Sequence, residues 1–153
     1  MQNAVSALLK PDHVTLDVEA SEAETAILDV AAPLATNLAV ADFAAFCQAV
    51  LEREKISSTA VGFGVAFPHA RTNHVREIVM AAGRSAEGVI FPGASEPVRV
   101  IFVIGTPLGL VRDHLALLGG LAKVLKDPAV RQRLLSAMSA EEFLEALQPR
   151  NDP

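Results

Sequence analysis

The segment Val98-Arg99-Val100-Ile101-Phe102-Val103-Ile104 restricts the fold more than any other. It is a short, near-continuous apolar run. A strand apolar on both sides belongs to a sheet that is covered on both faces. The rest of the chain supplies the covering layers. Val14-Thr15-Leu16-Asp17-Val18 alternates apolar and polar residues and reads as a strand. Val65-Ala66-Phe67 reads as a short strand stopped by Pro68, and Ile78 to Ala82 as another, with Gly83 to Pro92 as a connection or hairpin.

Helical spacing fills the remainder. Ser21 and Glu24 have capping-box spacing and open a helix with Ala23, Ala26, Ile27, Val30, Ala31 and Leu34 on one face. A second helix starts near Asp42, buries Phe43, Phe46, Cys47, Val50 and Leu51, and ends in Glu52-Arg53-Glu54-Lys55. Arg112 to Lys126 carries Leu115, Leu118, Leu121, Ala122 and Leu125 as a stripe. Asp127-Pro128 opens another helix, and Ser139 with Glu142 caps Ala140 to Gln148. These elements predict one α/β domain over residues 1–153, a sheet sandwiched between helices.

Composition narrows the function. A net charge of −5, with neither Trp nor Tyr, argues against nucleic acid, which needs a basic footprint and stacking platforms. A basic partner suits this balance better. Cys47 is the only cysteine, so an internal disulfide is impossible, and it reads as a small buried residue. Met1 to Val5 lack a signal-peptide layout, and no apolar run reaches the roughly 18 residues of a membrane span. The chain is expected in the cytoplasm, with no insertion into a membrane.

Most of the chemistry-bearing residues lie between Arg53 and Arg71. His69 follows a short strand and a proline, which would hold its backbone while one ring nitrogen faces solvent. A neutral imidazole is nucleophilic near pH 7 and can accept and surrender a phosphoryl group. A structural histidine packed at a strand end fits the same pattern. Gly62-Phe63-Gly64 begins like a dinucleotide fingerprint, but Phe67 replaces the third glycine and Pro68 follows, so a helix cannot begin there. A G-x-x-x-x-G-K-[ST] loop is missing, which counts against a nucleotide as donor.

The four histidines, His13, His69, His74 and His114, include no H-E-x-x-H pair, and His69 with His74 finds no convincing third metal ligand. His13 reads as a solvated turn residue. Ser58 lacks the elbow of a serine hydrolase. His114, in the first turn of its helix, reads either as a surface residue or as a donor to an anion beside free backbone N–H groups. Arg53 has a planar fork of donors suited to phosphate, yet its spacing favours a surface pair with a neighbouring Glu.

Ser58-Thr59-Ala60-Val61-Gly62-Phe63-Gly64-Val65-Ala66-Phe67-Pro68-His69-Ala70-Arg71 resembles the phosphorylation-site motif of the type-2 EIIA family, the fructose/mannitol and nitrogen-regulatory branch of the bacterial phosphotransferase system. The similarity extends through Gly83-Arg84-Ser85, Glu87-Gly88-Val89 and Pro97-Val98-Arg99. It continues into His114-Leu115, Leu118, Leu121-Ala122, Leu125 and Asp127-Pro128. The resemblance implies a mixed sheet flanked by helices. It also implies a phosphoryl group carried on His69, a second active-site histidine at His114, and a phosphate-holding arginine at Arg53. The implied partners are an HPr-type phosphocarrier upstream and an EIIB domain or regulated target downstream.

The resulting expectation is a phosphotransferase component that needs no nucleotide or cofactor. His69 takes the group from a phosphohistidine while Arg53 and His114 stabilise the equatorial oxygens. A lone domain leans toward the nitrogen-regulatory role over delivery to a sugar-specific EIIB. A binding module that has lost transfer, or a metal hydrolase, are the rival readings. Phe63 stands where the family usually has a polar residue, and it is expected at a turn tip beside His69.

Overall fold

The structure, a computed structural model, describes residues 4–148. The chain opens with helix α1 (Ala4–Leu8), a 3₁₀ turn at Pro11–His13 and strand β1 (Val14–Thr15). Helix α2 (Ala23–Ala31) runs into a second 3₁₀ turn at Ala32–Thr36, and helix α3 (Phe43–Ile56) follows. Then come β2 (Ala60–Gly62), β3 (Val65–Ala66), β4 (His69–Arg71), β5 (Val79–Val89) and β6 (Val98–Thr106). Helices α4 (Val111–Leu125), α5 (Pro128–Ser136) and α6 (Ala140–Ala146) close the described chain. Met1 to Asn3, where the N-terminal sequence was read for a signal peptide, lie outside the described residues.

The apolar run sits at the centre of a mixed sheet, ordered β1-β5-β6-β3-β2. β6 pairs antiparallel with β5 on one side. On its other side it pairs parallel with β3 and, further along, with β4. Because side chains alternate along a strand, β6 feeds two cores. Ile101 and Val103 pack with α2 and α3, while Val100, Phe102 and Ile104 pack with α1, α4, α5 and α6. Phe102, Val103 and Ile104 are wholly buried, each worth about 1.5–3 kcal/mol of apolar burial. The chain is thus an α/β domain with a mixed sheet between two helical layers.

Several local expectations need correction. Gly83 to Val89 is no connection: it continues β5, with a register shift between Arg84 and Val89. Ser85 Oγ accepts the Gly88 N–H at 2.9 Å, so the turn-like residues form a bulge inside a long strand. The Ser21 capping box does not form: the N-cap position of α2 is Glu22, which makes no side-chain cap bond, and the Ser21 carbonyl accepts the Ile90 N–H at 2.9 Å. β1 is shorter than the alternation suggests.

On α4 the inward stripe is His114, Leu117, Leu121 and Leu125, whereas Leu115 is 63% exposed. His13 is buried rather than solvated. The Asp127 and Ser139 caps form as the sequence indicates, and Asp42 caps α3 through Ala45 N–H.

Candidate functional site

The site grows from the far end of β6. Pro68 separates β3, which is flanked by β2 and β6, from β4, which pairs with β6, so the residue without an N–H falls where the chain passes to the sheet edge. Its carbonyl still accepts the Ile104 N–H at 3.0 Å, so the chain re-enters the sheet at once. His69, Ala70 and Arg71 then register with Ile104, Gly105 and Thr106. Alternation turns Ala70 into the core and leaves His69 and Arg71 on the same side of the strand.

Gly105 brings α3 close. A Cβ there would lie 2.5 Å from the Phe46 ring, so only glycine lets that ring rest on the sheet. Arg53 is two turns beyond Phe46 on the same helix face, and the contact therefore delivers its guanidinium to the sheet edge. Arg53 Nη1 donates to the Ser57 carbonyl at 3.0 Å and, more weakly, to its hydroxyl at 3.4 Å. The surface pair with a neighbouring Glu does not form. Glu54 accepts both the backbone N–H and the hydroxyl of Thr59, and Glu52 accepts from Gln48.

From the opposite side α4 contributes His114, 5% exposed. Its Nδ1 lies 2.8 Å from the buried Thr106 hydroxyl. The His69 and His114 ring centroids are 5.1 Å apart. His69 Nδ1 is 2.7 Å from the Phe67 carbonyl. A carbonyl only accepts, so Nδ1 carries the proton and Nε2 keeps its lone pair. Among the described residues no buried polar side-chain atom lacks a partner. The unpartnered Nε2 atoms of both rings must therefore open onto solvent in the cleft.

Both rings are biased toward the neutral form. Burial pushes His69 below the ordinary imidazole range, and Arg53 adds to this, against the raising effects of the Phe67 carbonyl and Glu54. Burial, followed by the charges of His69, Arg71 and Arg53, brings His114 down to about 4. At neutral pH His69 presents a nucleophilic nitrogen in a site that holds two guanidinium charges.

His69, His114, Arg53 and Arg71 line one cleft of about 370 Å³, together with Ala49, Glu52, Ile56 and Ala70. All three sequence-singled residues thus meet. Arg71 was not singled out, because Pro68 reads as a strand end in the sequence, and the i+2 alternation that puts Arg71 beside His69 exists only because β4 resumes pairing after it. His74 is exposed on the following loop and lies outside the cleft lining. A roomier hollow of about 460 Å³ between α2 and the end of α3 contains no histidine, so the imidazole chemistry belongs to the smaller cleft. No group of three or more metal-ligating side chains occurs among the described residues.

Ile56, which lines the cleft, is 80% exposed, and Leu108, Leu110, Val111 and Leu115 are exposed on the segment that leads into and through the first turns of α4, which carries His114. Phe63 is elsewhere, against expectation. Val65 registers with Val100 and His69 with Ile104. The turn before Val65 is therefore at least roughly 13 Å from His69 along the strand.

Comparison with known proteins finds relatives over nearly the whole chain. The family profile described as phosphoenolpyruvate-dependent sugar phosphotransferase system, EIIA 2, matches residues 7–149. The fructose-specific EIIA component of Haloferax volcanii is 38% identical over 109 residues, 71% of each chain. The fructose-specific EIIABC component of Bacillus subtilis is 31% identical over 94% of this chain, which spans only 23% of that longer protein. The crystal structure of nitrogen regulatory protein IIA-Ntr from Neisseria meningitidis superposes with a TM-score of 0.86 at 29% identity, covering 95% of this chain and 100% of that one. No helix among the described residues is long and apolar enough to cross a membrane. With the profile covering nearly every residue of both cores and of the two-histidine cleft, the chain belongs to the type-2 EIIA family of the phosphoenolpyruvate-dependent sugar phosphotransferase system.

Proposed function

We propose that this protein is a phosphoryl carrier in which His69 Nε2 is the acceptor atom. The observation that carries the reading is the bond from His69 Nδ1 to the Phe67 carbonyl, which leaves Nε2 free in a cleft beside His114 and two arginines. The donor is a phosphohistidine on an HPr-type carrier. The His69 Nε2 lone pair attacks phosphorus, the donor's P–N bond breaks, and the donor imidazole recovers that electron pair. The group then leaves His69 by the same displacement on an acceptor. Arg53 and His114 stabilise the equatorial oxygens, since phosphoryl transfer rests on positioning and charge stabilisation. The exposed apolar side chains of Ile56 in the cleft lining and of Leu108 and Leu115 on the segment that carries His114 suit docking of another protein's surface.

The acceptor we favour is a regulated protein. The full-length superposition on a nitrogen regulatory protein supports it. Delivery to an EIIB is the alternative, supported by the fructose-specific relatives, one of which joins EIIA, EIIB and EIIC in a single chain. Incubation with phosphorylated HPr-type carrier, followed by intact-mass analysis and site mapping, tests the chemistry. Wild type should gain one acid-labile, base-stable phosphoryl group, and His69→Ala none. A variant still modified once would overturn the assignment. Deletion of the gene should disturb nitrogen or potassium physiology, whereas a clean defect on one sugar would favour the EIIB alternative.

A further inference from the structure

We infer that Thr106 fixes His114 in the tautomer that carries its proton on Nε2, making Thr106 a positioning residue for the cleft. The argument starts from satisfaction of a buried hydroxyl. Thr106 is fully buried, and its Oγ1 has one hydrogen-bond partner, His114 Nδ1 at 2.8 Å. Two arrangements have this distance. If Nδ1–H donated, the hydroxyl proton would point into a sealed site without an acceptor, at a cost of about 1–3 kcal/mol. If Oγ1–H donates, the hydroxyl proton and the Nδ1 lone pair are satisfied together. The ring's single proton then sits on Nε2, the nitrogen that reaches the cleft.

The two histidines become opposites through the chemistry of their Nδ1 partners. The Phe67 carbonyl can only accept, so it forces a proton onto His69 Nδ1 and a lone pair onto Nε2. The Thr106 hydroxyl can donate, so it reverses the pattern at His114. One ring offers an electron pair and its neighbour, 5.1 Å away, offers an N–H. An anion held between Arg53 and Arg71 would meet a donor rather than a repelling lone pair. Thr106 itself is locked in place, because its carbonyl accepts the Thr72 N–H at 2.8 Å and its strand registers with Arg71. The kinetic consequence rests on the phosphoryl-carrier reading above; the tautomer assignment does not.

The test uses the full-length protein labelled with ¹⁵N, in three forms: wild type, Thr106→Val and Thr106→Ser. Long-range ¹H–¹⁵N correlation spectra at pH 7.5 report which ring nitrogen of His114 is protonated. Wild type and Thr106→Ser should show Nε2–H, and Thr106→Val a mixture or Nδ1–H. In parallel, single-turnover transfer from phosphorylated HPr-type carrier should slow about 10- to 100-fold in Thr106→Val, the scale on which removing an imidazole's supporting partner acts. Thr106→Ser should restore it. An Nδ1–H ring in wild type overturns the inference, as does an unchanged tautomer in Thr106→Val. If no form accepts a phosphoryl group, the carrier reading fails while the spectra still decide the role of Thr106.

Discussion

His69 and His114 face each other at 5.1 Å in a cleft that also holds Arg53 and Arg71, so protonating either ring adds positive charge to positive surroundings. The cost is greatest at His114, held at about 4. An unfolded chain binds that proton near the ordinary imidazole value of about 6.5. Between those two values the unfolded state holds more protons than the folded one, so stability falls as pH falls from 6.5 toward 4. His69, also lowered, acts in the same direction. The loss attributable to His114 is on the order of 3 kcal/mol by that relation. Urea denaturation at pH 7.5 and 4.5 should show it in wild type, and His114→Gln should flatten the dependence. Equal losses in both proteins would reject this origin.

The Arg53 guanidinium spends one nitrogen on the Ser57 carbonyl. The rest of its fork stays available to a phosphoryl oxygen, which a lysine, with a single ammonium, cannot reproduce. Arg53→Gln should slow transfer to His69 by about 10²-fold or more, the usual effect of losing one preorganised donor. Arg53→Lys should recover only part of that rate. Quench-flow measurement of both variants, with His69 still the modified residue, checks the expectation. Rates equal to wild type would leave Arg53 as a tether for the Ser57 loop.

The architecture was legible where one physical signal dominated. The β6 run required two covering layers, and β6 indeed feeds two cores. The motif residues converge because Pro68 and Gly105 act locally, one separating β3 from β4 and the other admitting Phe46. Legibility failed where tertiary partners overrode local pattern. Leu115 completes an apolar stripe on paper, yet His114 takes the inward position, where Thr106 satisfies its ring. Ser85 to Gly88 read as a turn because a bulge uses the same residues. Arg71 was not legible, because Pro68 reads as a strand end and only pairing with β6 makes His69 to Arg71 a strand.

Gly105 joins packing to chemistry. Its missing Cβ is the space occupied by the Phe46 ring, and the Val79 side chain also closes in at 3.1 Å. Gly105→Ala should overpack this junction and cost about 1–3 kcal/mol. Because α3 must retreat, Arg53 should move from the cleft, so transfer should slow as well. Thermal melting and single-turnover kinetics on the same preparation test the link. A stability loss with an unchanged rate would show that the site tolerates the displacement.

Phe63 should prove irrelevant to the phosphoryl group, since the turn that carries it does not lie beside His69 as expected. It stands at the tip of the β2–β3 hairpin with φ +59°, between Gly62 and Gly64 at +95° and +73°. Consecutive positive φ values at Phe63 and Gly64 are the mark of a type I′ turn, where Asn-Gly is preferred. A bulky residue in the left-handed region costs about 1–2 kcal/mol. Part of this is offset by the Arg131 guanidinium, 4.4 Å above the ring, a contact worth about 0.5–1 kcal/mol at an exposed site. Arg131 is itself fixed by the carbonyls of Leu125 and Lys126, at 2.7 and 2.9 Å, so the ring rests on a preformed platform. Phe63→Asn exchanges strain for stacking, and its net effect on stability should stay within about 1 kcal/mol. The half-life of the His69 phosphoryl group should match wild type, because the hairpin tip lies at the opposite end of the sheet edge. A markedly shorter half-life would mean that the turn reaches the site in solution, and the separation argued from strand register would be wrong.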